Sequence, residues 1–497
     1  MTAPCDLDAH EARRLIGRKQ LSPVELVESC IERIEEVDHA VNAVVVRDFA
    51  GAREQAKRAE LAVMRGEALG PLHGLPIGIK DTQHAAGLRC TYGSPIYRDH
   101  VPASDERLVA AVRNAGAIIL GKTNTPEWAA GGNTRNAVFG ATGNPFDPMR
   151  SASGSSGGSA VALACGMLSI ATGSDTGGSL RNPAAYCGVV GFRPSPGLVP
   201  SERRGHGWSN LSVSGPMARN VTDTCLLLST MISDDAGDPL ATKFHGRQTY
   251  RQEEYARPHA ADLARLRVAI TPDFGFAPTA RHIAEVFGEK VQRFKHAFAS
   301  VDVATPDCTG TDETFEITRA VVALGGHLER VRTRGAEVGP NVRANVEEGL
   351  RYTAEDVARA ASLQTDIYRR WQRFFADFDV ILTPSMTISP RPWSELYPAQ
   401  IDGVPTRSYF HWLALAYAVT IVGHPAVSLP VGMDRHGMPF GLQIVGPRGG
   451  DLLVLSIAAE LERLLAGDAA TARPVPDLEQ LRAMPSLAGS PSFLGFD

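Results

Sequence analysis

Two stretches dense in glycine and serine constrain this 497-residue chain more than any other feature. The first, Ser153-Gly154-Ser155-Ser156-Gly157-Gly158-Ser159, leads directly into the apolar run Ala160 to Met167. The second runs from Gly173 through Ser174, Asp175, Thr176, Gly177, Gly178, Ser179, Leu180, Arg181 and Asn182 to Pro183. A flexible linker has similar composition, but a linker does not lead straight into a core helix or carry Asp175 and Arg181 at fixed flanks. Neither loop ends in the Gly-Lys-Ser/Thr of a phosphate-binding loop. The physical reading of the second loop is an oxyanion hole with its nucleophile. Glycines without a Cβ let successive N–H groups turn toward one point. The N–H groups of Thr176, Gly177, Gly178 and Ser179 are expected to converge on a developing oxyanion, with Ser179 attacking. Asp175 and Arg181 are expected to pair and fix the turn.

A serine nucleophile needs a base. None of the 14 histidines sits in a setting that selects it, and Ser179 lies in TGGSL, not in a GxSxG elbow. A Ser-His-Asp triad stays open, with no residue picked out for it. Lys80 is the better base. It ends the run Gly74-Leu75-Pro76-Ile77-Gly78-Ile79-Lys80 and is expected to emerge from a buried strand. Loss of water there disfavours the ammonium and yields a neutral amine that can accept a proton.

Composition narrows the remaining classes. The net charge of −5, with no long Lys/Arg run, lends no support to nucleic-acid or anionic-membrane binding. Seven scattered cysteines without a CxxC pair read as reduced, buried thiols. No HExxH or paired Cys/His cluster is present, so no metal and no cofactor is expected. The polar N-terminus does not read as a secretory signal. The apolar stretch Leu413 to Val427 is broken by Gly423, His424 and Pro425 and is too short to span a bilayer. A cytoplasmic enzyme with a small-molecule partner is the expectation, and its oligomeric state, homodimer included, is left open.

Ser22-Pro23-Val24-Glu25 is a capping box, followed by apolar residues at helical spacing. From Gly70, short apolar runs alternate with helical stretches, which argues for a sheet covered on both faces. The expected fold is α/β, a large mixed, mostly parallel sheet in a single domain over residues 1–475. Its parts are N-terminal helices (8–65), a catalytic core (70–235), a helical insertion or cap (about 245–375) and a completing segment (376–465). A peripheral tail (476–497) follows.

GLPIGIKD, SGSSGGSA and GSDTGGSLRNPA, in this order, resemble the three defining motifs of the amidase signature family. GKTNTPEWA (Gly121 to Ala129), NPFDP (Asn144 to Pro148) and SGPMARNVTD (Ser214 to Asp223) accompany them, as do DVILTPS (Asp379 to Ser385) and GLQIVGP (Gly441 to Pro447). The resemblance implies an amide hydrolase with Lys80 as base, Ser155 as bridging serine after a cis Gly154–Ser155 peptide, and Ser179 as nucleophile. A proton would pass from Ser179 through Ser155 to Lys80. Two departures are small: Ser153 stands where many members have glycine, and Thr176 at an often aliphatic position.

For the substrate, aromatic residues cluster between Pro384 and Trp412: Trp393, Tyr397, Tyr409, Phe410 and Trp412. They read equally as a loop docked on the core or as substrate contacts. In the second case Trp393, Tyr409 and Trp412, with Trp128 of the GKTN motif, favour an aryl or apolar amide. Carbamates share the chemistry. Two rivals remain: the amidase component of a tRNA-dependent amidotransferase, and a non-catalytic binding protein on the same fold.

Overall fold

Short apolar runs bounded by Gly, Pro and Asn become the strands of one eleven-stranded sheet. The structure, a computed structural model, describes residues 3–233, 235–241, 243–244, 247–248 and 250–495. In chain order the strands are β1 (Val44–Arg47), β2 (Pro76–Lys80), β3 (Ile118–Thr123), β4 (Ile170–Asp175), β5 (Val190–Arg193) and β6 (Val213–Ala218). They continue with β7 (Arg267–Ile270), β8 (Ser300–Val303), β9 (Val380–Pro384), β10 (Ala426–Met433) and β11 (Pro439–Val445). Across the sheet they run β1-β3-β2-β4-β6-β5-β10-β11-β9-β7-β8, with helices on both faces.

The sheet is large and mixed, as expected, but parallel pairing does not dominate it. Only β2–β3, β2–β4, β7–β8 and β7–β9 are parallel; the other neighbouring pairs are antiparallel. One antiparallel pair, β10–β11, follows from a short connection, whereas the others join strands well separated in sequence. The turn Asp434 to Met438, tied by the Asp434 carboxylate to the His436 and Met438 amides, can only join antiparallel strands.

At the N-terminus the helix Pro23–Val41 starts on the expected cap. Ser22 Oγ accepts from the Val24 amide at 2.9 Å, and Glu25 accepts from the Ser22 amide at 3.0 Å. Strand β1 interrupts the expected run of N-terminal helices and pairs with β3. The segment read as a helical cap also carries β7 and β8, which extend the sheet. RVAI and SVDV are four residues each, too short to stand out between charged helices. The helices of that segment are Arg281–Phe294, Thr311–Arg334, Pro340–Gly349 and Ala354–Asp377. Its start, at residues 245, 246 and 249, lies outside the described residues. The C-terminal tail is packed down: Leu481 and Leu487 are buried, and Arg482 donates to Glu36 at 2.8 Å. All seven cysteines are buried and unbridged. Among the described residues no helix is long and apolar enough to cross a membrane.

Strands β2 and β4 are adjacent and parallel, so Lys80 and Asp175 leave the sheet at the same edge. The carboxyl ends of strands are where open α/β sheets place their ligands.

Candidate active site

Lys80 ends a strand whose five residues are all buried, and its own exposure is zero. Its Nζ sits among three serine hydroxyls: Ser155 Oγ at 2.6 Å, Ser156 Oγ at 2.9 Å and Ser174 Oγ at 2.9 Å. Burial lowers its pKa to about 7, against the attraction of Asp175, which favours the charged form. A neutral amine donates two hydrogen bonds and accepts one. Ser156 Oγ donates to the Ser174 carbonyl at 3.4 Å, so it receives a hydrogen from Lys80. With a second donated to Ser174, the Lys80 lone pair is left for the Ser155 hydroxyl, its shortest contact. The three-serine cage thus leaves an uncharged lysine with no unpaired hydrogen, as it would an ammonium, and loss of water is what favours the uncharged form.

Ser155 belongs to the first loop, whose Gly154–Ser155 peptide is cis, as the resemblance implied. Ser153 has φ +62°, in the left-handed region that favours glycine. After Ser156 the chain enters the fully buried helix Gly157–Ala164. Gly158 packs so tightly that a Cβ would stand 2.2 Å from the Asn124 amide nitrogen.

The second loop is organised by Asp175. Arg181 Nε and NH2 donate to its two oxygens at 3.0 and 2.9 Å, the expected pairing, and Arg193 NH1 adds a third bond at 3.0 Å. All three residues are fully buried. Burial alone would push the Asp175 carboxyl up, but the two guanidinium groups hold it well below the usual carboxylate range. The same carboxylate accepts from the Gly178 amide at 3.0 Å and the Leu180 amide at 3.2 Å. Asp175→Asn is therefore expected to cost about 3–5 kcal/mol of unfolding free energy, because it leaves two buried guanidinium groups under-paired. Denaturant unfolding checks this; a variant as stable as the parent would show that the turn is held by other contacts.

One of the expected oxyanion donors is corrected by this network. The Gly178 amide points to Asp175, at φ +106°, and is not free to bind an oxyanion. A Cβ on Gly178 would lie 2.4 Å from both the Ala416 Cβ and the Asn182 side chain, so glycine is required there. The amides of Thr176, Gly177 and Ser179 are not taken in this way, and all three residues line a cavity of about 540 Å³.

Ser179 is part-exposed on that cavity wall, and its carbonyl accepts from the Ser156 amide at 3.2 Å. The structure thus joins Lys80 to Ser155 directly and ties the two loops together through Ser179. The side chains of Ser179 and Ser155 are not hydrogen-bonded to each other. His206 and His327 also line the cavity, and neither is hydrogen-bonded to Ser179. His424 lies elsewhere, buried between Gln372 and the Gly446 carbonyl, with burial lowering its pKa to about 4.

Of the aromatic residues expected in the pocket, Trp128 and Tyr409 line the cavity. Trp128 stacks on Tyr92, ring centroids 4.4 Å apart, with the Arg330 guanidinium 4.7 Å from its own ring centroid. Trp393 and Trp412 are corrected: both are buried in packing away from the cavity wall. Each satisfies its indole N–H on a carbonyl, Trp393 on Pro148 at 3.0 Å and Trp412 on Tyr409 at 2.8 Å, as buried tryptophans generally do. Trp412 lies beneath Gly132, where a Cβ would stand 2.7 Å from its ring. Sequence reading placed residues 311–334 in the helical cap but named none of the side chains that the helix Thr311–Arg334 supplies to the cavity, Phe315, Arg319, Val322, Gly326 and Arg330. Their three- and four-residue spacing, with an arginine on the inward face, was the signal that could have found them.

Known proteins share this architecture. A family profile described as Amidase matches residues 25–455. An acylamidase of Rhodococcus erythropolis is 33% identical, over 92% of this chain and 95% of its own length. The A-type component of the glutamyl-tRNA(Gln) amidotransferase of Roseiflexus castenholzii is 32% identical, over 90% of this chain and 93% of its own length. Among solved structures, a bacterial aryl acylamidase described as one of the amidase signature enzymes superposes with a TM-score of 0.85. It is 27% identical, and the match covers 98% of this chain and 99% of that one.

Proposed function

The chain belongs to the amidase signature family, and from that premise we propose that it hydrolyses the C–N bond of an aryl or apolar carboxylic amide through an acyl-enzyme on Ser179. The reading of the site rests above all on the setting of Lys80, a fully buried lysine whose partners accommodate an uncharged amine. In the first step the Ser179 hydroxyl gives its proton to Ser155 Oγ, and the Ser155 proton moves to Lys80 Nζ. The Ser179 oxygen bonds to the carbonyl carbon, and the carbonyl π electrons move onto oxygen. The N–H groups of Thr176, Gly177 and Ser179 stabilise that oxyanion. When the C–N bond breaks, the leaving amine takes a proton from Ser155, which recovers one from Lys80. Water then enters, loses a proton to the same relay and attacks the acyl carbon. The carboxylic acid leaves as Ser179 regains its hydrogen.

For the relay to run, the Ser179 hydroxyl must turn from the cavity to Ser155. Catalytic hydrogen bonds commonly tighten only when substrate is bound. Phe315, Tyr409, Phe410 and Trp128 on the cavity wall favour an aromatic or apolar group. Carbamates and esters pass through the same tetrahedral geometry and are expected side substrates.

The amidotransferase relatives, 30–32% identical over about nine-tenths of the chain, motivate a second reading in which the substrate is glutamine and partner proteins are required. A single assay separates the two. The isolated chain is expected to hydrolyse acyl anilides and to leave glutamine intact. Glutaminase activity without anilide turnover would replace the first reading by the second.

A further inference from the structure

One side of the catalytic cavity is a single helix face. Along Thr311–Arg334, Phe315, Arg319, Val322, Gly326 and Arg330 follow one another every three or four residues and all line the cavity. Phe315 marks the end nearest the nucleophile, since a Cβ on Gly177 would stand 3.2 Å from its ring. Arg319 comes one turn later, about 6 Å further along the axis.

Arg319 leaves two buried donors unpaired, where Arg204 on the same cavity leaves one. Arg319 is only 7% exposed. Its guanidinium lies 4.0 Å from the Phe410 ring centroid, and its NH2 donates to Glu348. Yet Nε and NH1 are both buried and have no hydrogen-bond partner. Unpaired buried donors on a charged group are costly, so the arrangement suits a site whose missing acceptor arrives with the substrate.

We propose that Arg319 is a specificity-determining residue, donating from Nε or NH1 to a neutral oxygen acceptor on the substrate, about one helical turn from the scissile carbonyl. The proposal rests on the hydrolase reading above and names its substrate class: an aryl amide whose ring carries a carbonyl, nitro or ether oxygen on the side away from the amide. Two features argue for a neutral acceptor over a carboxylate. The charge of Arg319 is already matched by Glu348, and with NH2 engaged, Nε and NH1 sit on different edges of the fork. They offer single hydrogen bonds and not the paired grip that arginine gives a carboxylate.

The test uses three acetanilides that differ only in the para substituent: methyl, acetyl and carboxylate. The parent enzyme is expected to favour the acetyl over the methyl compound at least about tenfold in kcat/KM, expressed mainly in KM. In Arg319→Met this ratio collapses toward one. In Glu348→Gln, which keeps the guanidinium, it is retained. A purely structural role for Arg319 would slow both substrates alike and leave the ratio standing, which would overturn the proposal. So would a parent enzyme that prefers the carboxylate, or shows no preference. Absence of turnover of all three by the parent would overturn the hydrolase reading and this one with it, whereas turnover without acceptor preference overturns this one alone.

Discussion

Ser179→Ala is expected to lower amide turnover by at least about 10⁴-fold while leaving the fold and substrate binding in place. The reason is specific to the position. Ser179 stands on the cavity wall, and its side chain makes no hydrogen bond to another described residue that the substitution would forfeit. Its structural tie, the carbonyl that accepts from the Ser156 amide at 3.2 Å, belongs to the backbone and survives the change. The loss should fall on kcat, with thermal unfolding within a few degrees of the parent. Near-parental turnover in this variant would move the nucleophile to another residue. Ser174 would be the first to examine, because it lines the same cavity and touches Lys80.

Removing the base should cost less but act in two ways. Lys80→Ala is expected to reduce kcat about 10²- to 10⁴-fold, the usual range for a positioned general base. It also deletes the amine that contacts Ser155, Ser156 and Ser174 at 2.6, 2.9 and 2.9 Å. A stability loss should therefore accompany the kinetic one, and denaturant unfolding measured beside kcat separates the two. Lys80→Met, which refills most of the volume, should recover stability and leave kcat low. If Lys80→Met restored turnover as well, the lysine would be a packing residue and the proton would need another acceptor.

The two variants mark what local sequence could disclose. The placements of Lys80 at the end of a buried strand and of Ser179 in a glycine turn were legible because each is fixed by its immediate string. An apolar strand ending in lysine, and a glycine turn ending in serine, need no distant partner to be recognised. The alternation of strand and helix similarly foretold the covered sheet. What failed depends on tertiary direction. Trp393 and Trp412 cluster in sequence with Tyr409, yet their indole N–H groups find carbonyls in the packing and turn both rings away from the cavity. Gly178 has the same conformational freedom as Gly177, but its amide is claimed by Asp175, and nothing in TGGSL says which amide will be. Arg193 reaches Asp175 from a different strand, so no local pattern announces it. The inward face of Thr311–Arg334 was written in its spacing and was obscured by the charge of the segment around it.

The central claim is that an uncharged Lys80 draws the proton from Ser179 through Ser155. The most direct measurement is the pH dependence of the rate at which a fluorophosphonate modifies Ser179, followed by mass spectrometry on the intact enzyme. Burial lowers the Lys80 pKa to about 7, so the amine is protonated and inactive below that pH and neutral and competent above it. The labelling rate should rise with pH, pass its midpoint near 7 and level off in mildly alkaline solution, and the Lys80→Met variant should lack that rise. A rate independent of pH from acid to alkaline, or one that falls as pH increases, would contradict the account.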